Sequence, residues 1–257
     1  MYRRQQGHQA SFQGESGTTR ASSSKKEDVM GSVVGLVLGT RAATAAVVFL
    51  VMWRMLDFSL FSYHPVCMTL GYALMMSEAV RAAIFFRGTA GEDRVRKITK
   101  HMGLNLLALA LVTIGFIAIY KNKVRLGKEH YQSKHGKVGL AAFVSTFVVV
   151  AGGILSFKKL GIIEVVPENL HGLVKRVHRA GGMVAFLLAL AAMQLGLLTG
   201  ALNPVPAERV AQFAVAAIAL STLYFWYTWS DNGAYAKLDR DGKEQVTVVS
   251  HLVPRRN

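Results

Sequence analysis

LFSYHPVCMTLGYALMMSEAV, residues 60–80, is the stretch on which the reading of this chain turns. Within it a histidine and a proline open an apolar run that reaches about residue 85, enough to cross roughly 30 Å of hydrocarbon as a helix. Working outward, five further runs of similar length lie at approximately 33–53, 102–120, 138–157, 180–201 and 209–229. Apolar residues make up 52% of the 257, yet the formal charge is +15, and the charges gather in the tails and in the joints between runs. Blocks of this kind predict an all-α membrane protein with six transmembrane helices. Its membrane domain is placed at 31–232, between an N-tail at 1–30 and a C-tail at 233–257.

Charged residues that fall inside expected spans include Arg41 in the first and Glu78 in the second. Either they pair, or each snorkels separately to a membrane face. Lys and Arg number 21 on the side that carries both tails and 8 on the other, so the positive-inside rule sets both termini in the cytoplasm. The N-tail, rich in Ser, Gln, Gly and charge, is expected to be disordered. No apolar stretch of signal-peptide type follows its first basic residues, which leaves the first span as the membrane-targeting element. The basic excess lies largely beside spans and matches no nucleic-acid-binding motif, so a nucleic-acid partner is not expected. Cys67 is the single cysteine. It permits neither an intrachain disulfide nor the CxxCH attachment of a c-type haem.

Four of the eight histidines, His64, His101, His135 and His178, stand at the mouths of four consecutive spans. Antiparallel neighbours alternate in direction, so the second and fourth spans start on one membrane face and the third and fifth on the other. His64 is therefore set to face His135, and His101 to face His178, in a central four-helix bundle. Two imidazoles on opposite sides of one iron leave no open position for dioxygen chemistry and suit electron transfer. Glycines repeat on the same faces: Gly71 follows His64 by seven, Gly139 follows His135 by four and Gly182 follows His178 by four. Small residues there either clear room for a flat macrocycle or permit close helix packing. For the third span the nearest such residue is Gly115, fourteen after His101. His171, seven before His178, is an alternative ligand with a poorer fit to the span mouth, and His8 and His251 lie in the tails.

Four segments carry a resemblance over about residues 60–235. They are LFSYHPVCMTLGYALMMSEAV from Leu60, KHMGLNLLALALVTIGF from Lys100, LGKEHYQSKHGKVGL from Leu126 and HRAGGMVAFLLALAAMQLG from His178. Together they resemble the cytochrome b561 family, and within it the members made of six spans alone. The resemblance implies two non-covalent b haems, ligated by His64 with His135 and by His101 with His178. It implies an oxidoreductase that takes electrons from cytoplasmic ascorbate and gives them to monodehydroascorbate or ferric iron on the lumenal or extracellular side. An endomembrane location, the endoplasmic reticulum or vesicles, follows from the same likeness, and homodimers occur in the family. Two positions depart from the family pattern: Gly136 and Lys137 stand where Ser-Trp is common after the fourth-span histidine, and Asn105 where a second histidine is common.

Basic residues flank both expected sites. Arg94, Arg96, Lys97 and Lys100 lead into His101, and Lys175, Arg176 and Arg179 surround His178. Such a mouth attracts an anion like ascorbate, with Lys97, Lys100 and Lys175 the candidates to bind it; plain positive-inside charge is the alternative. On the other face Lys123, Arg125, Lys128, His130 and Lys134 crowd one short loop. There His130 is a candidate for the acceptor site or a proton relay, against a solvated loop. A haem-binding sensor without turnover would carry the same four histidines. A channel would need polar residues continued along several spans, and these spans are bland. A cytoplasm-negative potential favours outward electron movement by about 2.3 kcal/mol per 100 mV.

Overall fold

The computed structural model describes residues 31–85, 91–157, 161–203 and 205–228. The expected tails, with His8 and His251, lie outside the described residues. Every regular element described is helical: α1 (Gly31–Met55), α2 (Leu60–Met68), α3 (Ser77–Phe85), α4 (Gly91–Arg125), α5 (Lys134–Ser156), α6 (His171–Leu197) and α7 (Val205–Thr228). Five helical stretches, those at α1, α4, α5, α6 and α7, are long and apolar enough to cross a membrane. Between α2 and α3 the chain stays helical but widens into a π-helical segment, Thr69–Met76, so helix runs unbroken from Leu60 to Phe85.

The helices outrun the apolar stretches that announced them. α4 starts at Gly91, well before the run at 102, with Glu92 and Asp93 in its first turn and Lys123 and Arg125 in its last. Helical hydrogen bonds do not require apolar side chains, and those charges complement the helix dipole. At its end Gly127 turns left-handed at φ 60°, and Lys128 N–H returns to the Lys123 carbonyl at 2.9 Å, a Schellman closure. α6 stops at Leu197, short of the expected 201, ahead of the left-handed Gly200. Ser59 and Ser133 cap α2 and α5 by accepting from Ser62 N–H and Gly136 N–H. His101 of α4 and His178 of α6 consequently sit well inside their helices.

The chain divides at Arg41. The first unit's described part is the opening of α1, where the Thr40 hydroxyl donates to the Leu36 carbonyl at 2.7 Å. In the second unit, Ala42–Asn257, α5 packs along α6, the α2–α3 run packs along α4, and α7 lies against α6 and α3. Its core is made from Val47, Val51, Tyr72, Met76, Val112, Phe186, Val215 and Ile218 among others. Gly71 lets α4 approach closely: a Cβ there would lie 2.6 Å from Val112 Cγ1. Tyr72 reaches across to α5 and shares a hydrogen bond with Thr146 at 3.2 Å. In the last turn of α1, the Arg54 guanidinium donates to the Asn203 carbonyl, tying the end of α1 to the α6–α7 turn.

Glu78 forms an ion pair at 2.5 Å with Arg81, one turn on, and Arg81 is 3% exposed. Two charges in one buried pair are far less costly than one alone. Arg81 lies inside the second expected span, three residues after Glu78 and so on the same face of the helix.

Candidate functional site: two histidine pairs

His64 (α2) and His135 (α5) bring their ring centroids to 5.9 Å at 78°, and His101 (α4) and His178 (α6) bring theirs to 6.2 Å at 81°. Two imidazoles bound trans across one metal at about 2 Å each place their centroids about 6 Å apart. Both pairs therefore stand at the separation that one intervening metal demands. The same helix pairings were expected from span direction alone.

The orientation of each ring is set from behind. His64 Nδ1 lies 3.2 Å from the Gly115 carbonyl, His135 Nδ1 2.8 Å from Ala192, His101 Nδ1 2.8 Å from Ala79 and His178 Nδ1 3.0 Å from Val149. A carbonyl can only accept, so each Nδ1 carries the proton and each Nε2 keeps its lone pair. That is the outer-shell arrangement of metal-bound histidine. All four rings are at least partly buried.

Glycine completes the device on α5 and α6 in a reciprocal way. Val149 of α5 accepts from His178 of α6, and four residues on, a Cβ at Gly153 would lie 2.9 Å from His178 Cε1. Ala192 of α6 accepts from His135 of α5, and four residues on, a Cβ at Gly196 would lie 3.1 Å from His135 Cε1. The acceptor at i and the glycine at i+4 lie on one face of one helix and hold the ring of the other. Neither glycine was singled out in the sequence, because each serves a histidine on a different helix; the pairs Gly152-Gly153 and Gly196-x-x-x-Gly200 were the available signal. Gly115, expected to serve His101, instead supplies the His64 acceptor, and its missing side chain admits Cys67 Cβ and the His64 carbonyl.

The other expected positions fall as follows. Gly139 lines the cavity around the first pair and has no atom within 4 Å of the place its Cβ would occupy. Gly71 meets Val112 and Ala108 of α4, and Gly182 meets Val149 of α5. Asn105 Nδ2 donates to the His101 carbonyl at 2.8 Å and lies 3.3 and 3.4 Å from the two ring nitrogens. Near-equal distances put that amide over the face of the imidazole rather than in line with either nitrogen. His171 Nε2 bonds the Val166 carbonyl at 2.8 Å and so stabilises the turn into α6. Lys97 is half-buried, and Lys100 and Lys175 are exposed. His130 stacks on Tyr120, centroids 4.4 Å apart at 18°.

Around His64 and His135 lies a cavity of about 340 Å³ with a largely apolar lining that includes Val47, Val51, Met68, Phe116, Leu140 and Ala189. A largely apolar slot with two imidazoles about 6 Å apart, each with Nδ1 turned to a carbonyl, and with glycines in its lining, fits a flat amphiphilic macrocycle carrying a central metal. The second pair repeats the ring geometry. Along α4, His101 and Gly115 are separated by fourteen residues, which places the two pairs about 20 Å apart along the bundle at 1.5 Å per residue.

A sequence model of the eukaryotic cytochrome b561 family matches residues 63–203, more than half of the chain and all four paired histidines. The chain belongs to that family. As a cytochrome b561 with helices of this length and apolarity it is an integral membrane protein, and membership brings b-type haem. Over 144 residues it is 33% identical to the mouse "Transmembrane reductase CYB561D2", a match covering 54% of this chain and 61% of that protein. It is 28% identical over 137 residues to the human "Transmembrane ascorbate-dependent reductase CYB561", covering 53% of this chain and 52% of the other. A match of 34% over 94 residues to the Arabidopsis thaliana "Transmembrane ascorbate ferrireductase 2" covers 36% and 39%. The chain thus spans less than two thirds of the length of these relatives.

Proposed function

We propose that this cytochrome b561 carries single electrons across a membrane, from ascorbate on the cytoplasmic side to monodehydroascorbate or ferric iron on the lumenal or extracellular side. The observation that supports it most is the two pairs of imidazoles, at 5.9 and 6.2 Å, with every Nδ1 fastened to a carbonyl. His64 with His135, and His101 with His178, would each hold one haem b, six spans would enclose them, and both termini would be cytoplasmic. Bound there, a haem would supply a one-electron couple. Gly139 leaves room beside the first pair, while Gly71 and Gly182 bring the neighbouring helices close. Lys97, Lys100 and Lys175 make the cytoplasmic mouth attractive to the ascorbate anion. His130 lies at the acceptor end. The names of the relatives, ascorbate-dependent reductase and ascorbate ferrireductase among them, support the same substrates. An endomembrane is the location this reading favours.

The overall exchange balances simply. Ascorbate monoanion loses one electron and one proton to become monodehydroascorbate; beyond the membrane a ferric ion becomes ferrous, or monodehydroascorbate gains an electron and a proton. The deciding experiment is a reduced-minus-oxidised visible spectrum of the detergent-purified chain with ascorbate as reductant and haem quantified. The expected result is the sharp α band of six-coordinate b haem at about two haems per chain. Folded protein without haem overturns the reading. Haem that ascorbate reduces, with no electron flow across sealed vesicles, would point to a haem-binding sensor.

A further inference from the structure

The four helices that carry the histidines form a frame with four sides. The α2–α3 run packs on α4, α4 meets α5, α5 packs on α6, and α6 meets the widened segment between α2 and α3. The α2–α3 run and α5 are therefore opposite corners, as are α4 and α6. Each histidine pair spans one diagonal, His64–His135 the first and His101–His178 the second. The bonds behind the rings run along two of the sides: His64 and His101 are held between the α2–α3 run and α4, His135 and His178 between α5 and α6. Those bonds orient each ring within its own half of the frame and leave the distance between the halves unset. With sides of fixed length, about 8–10 Å between packed helices, such a frame keeps one soft motion, in which one diagonal lengthens as the other shortens.

Tyr72 braces that motion. Its hydroxyl reaches from the α2–α3 corner to Thr146 on α5 at 3.2 Å, along the diagonal that His64–His135 spans, with Tyr72 4% and Thr146 2% exposed. The direction of the bond follows from the protons: Thr146 gives its single one to the Ala142 carbonyl at 2.8 Å, so the phenol donates. Among the described residues this is the one side-chain hydrogen bond between the two halves. The Phe116–Phe143 stack, centroids 4.2 Å apart, also joins them, but along the α4–α5 side and not across a diagonal. Tyr72 stands between the two sites, eight residues after His64 and seven before Ala79, whose carbonyl holds His101. The backbone is altered at the same place. On α4, α5 and α6 the histidine and the carbonyl that holds a ring of the other pair are fourteen residues apart, at 101 and 115, 135 and 149, and 178 and 192. On the α2–α3 run they are fifteen apart, at 64 and 79. The π-helical segment Thr69–Met76 takes up the additional residue, and it is the segment that carries Tyr72. We infer, building on the haem-holding reading of these pairs, that Tyr72 is a positioning residue for both haem sites: its bond to Thr146 braces the bundle on one diagonal and so sets the separation of both histidine pairs before a haem arrives.

The test uses the full-length chain loaded with haem. Tyr72→Phe and Thr146→Val each remove the brace with little change of shape, and Thr146→Ser keeps the hydroxyl. Either removal is expected to speed haem transfer to apomyoglobin about fivefold from both sites, the contribution of one hydrogen bond. The double variant is expected to be no faster than either single one, and Thr146→Ser to restore the unmodified rate. The low-field g value of a ferric bis-imidazole haem follows the angle between the imidazole planes, so it is expected to move at both sites, where the rings now stand at 78° and 81°. Thr113→Val, which removes a hydroxyl bonded within its own helix to the Leu109 carbonyl, changes neither readout. Tyr72 lines the cavity around the first pair and Thr146 does not. An effect of Tyr72→Phe alone, or at His64–His135 alone, therefore identifies a direct haem contact and overturns the inference, as do summed effects in the double variant or unchanged rates. A second arm needs no haem: spin labels attached through Tyr63→Cys and Val144→Cys, exposed positions on α2 and α5, read the braced diagonal, with Cys67 buried. In the haem-free chain Thr146→Val is expected to broaden the distance distribution about twofold, and an unchanged width sinks the brace. If the unmodified chain takes up no haem, the electron-transfer reading fails while this width still decides the brace.

Discussion

Each paired histidine commits one ring nitrogen to a backbone carbonyl on another helix, so mutation of side chains cannot remove the acceptor and the sensitive positions lie elsewhere. Gly153 and Gly196 are those positions. A methyl at Gly153 would meet His178 Cε1 at 2.9 Å, closer than carbon atoms pack, and the ring cannot swing away without losing the Val149 bond. Gly153→Ala should weaken haem retention at the His101–His178 pair about 10- to 100-fold while the other pair keeps its haem. Gly196→Ala, at 3.1 Å from His135, should do the converse and more mildly. Haem per chain after gel filtration, with the spectrum of what remains, checks both. Asn105 acts differently, since its amide lies over the His101 ring and contacts no carbonyl of another helix. With a haem held by His101 as proposed, a positive N–H edge beside that ring would disfavour the oxidised, more positive iron, so Asn105→Ala should lower the midpoint potential of that one haem and leave haem content intact. Redox titration resolves the two couples, and a shift in the other couple alone would contradict this placement.

Among the elements, the α2–α3 run shows how far sequence reading reaches. The apolar block from 63 to 85 and the histidine at its mouth were plain in residue types, because crossing a bilayer constrains composition directly. The π-helical widening at Thr69–Met76 was not, because it changes hydrogen-bond spacing and leaves composition untouched. The same division holds at the site. His64, His101, His135 and His178 could be paired from helix direction, whereas Gly153 and Gly196 could not be assigned, since their partners lie on neighbouring helices. The widened turn has a geometric consequence: it sets the rotation of α3, whose Ala79 carbonyl holds His101 while Arg81 and Ile84 are buried. Inserting one alanine between Met76 and Ser77, continued as α-helix beyond the widened segment, would turn α3 by about 100° relative to α2. Ala79 would then face away from α4. The expected outcome is loss of the haem at His101 and His178 with the His64–His135 haem retained, read from haem content and from the surviving α band.

At the scale of the whole molecule the two ends are chemically unlike although their ring pairs are alike. The end at His64 and His135 opens through an aromatic rim with one lysine. At the His101–His178 end, cationic side chains stand on the ligand helices themselves: Lys97 and Lys100 lie four and one residues before His101, and Lys175 lies three before His178. At 1.5 Å per residue their Cα atoms sit within about 6 Å, along the helix axis, of the histidine Cα atoms. Charges spread over two helices add at a shared mouth, and no single one dominates, so single neutralisations are expected to be weak. Lys97→Gln, Lys100→Gln and Lys175→Gln together should slow haem reduction by ascorbate about tenfold at low ionic strength. The loss should shrink as salt brings the Debye length to about 8 Å, because the field of exposed lysines is screened while the haem potentials are not. Stopped-flow reduction of the triple variant over a salt series checks this, beside redox titration to show unchanged couples. A rate equal to that of the unmodified chain at low salt would reduce these lysines to topology signals, and would leave ascorbate to be recognised by contacts other than charge.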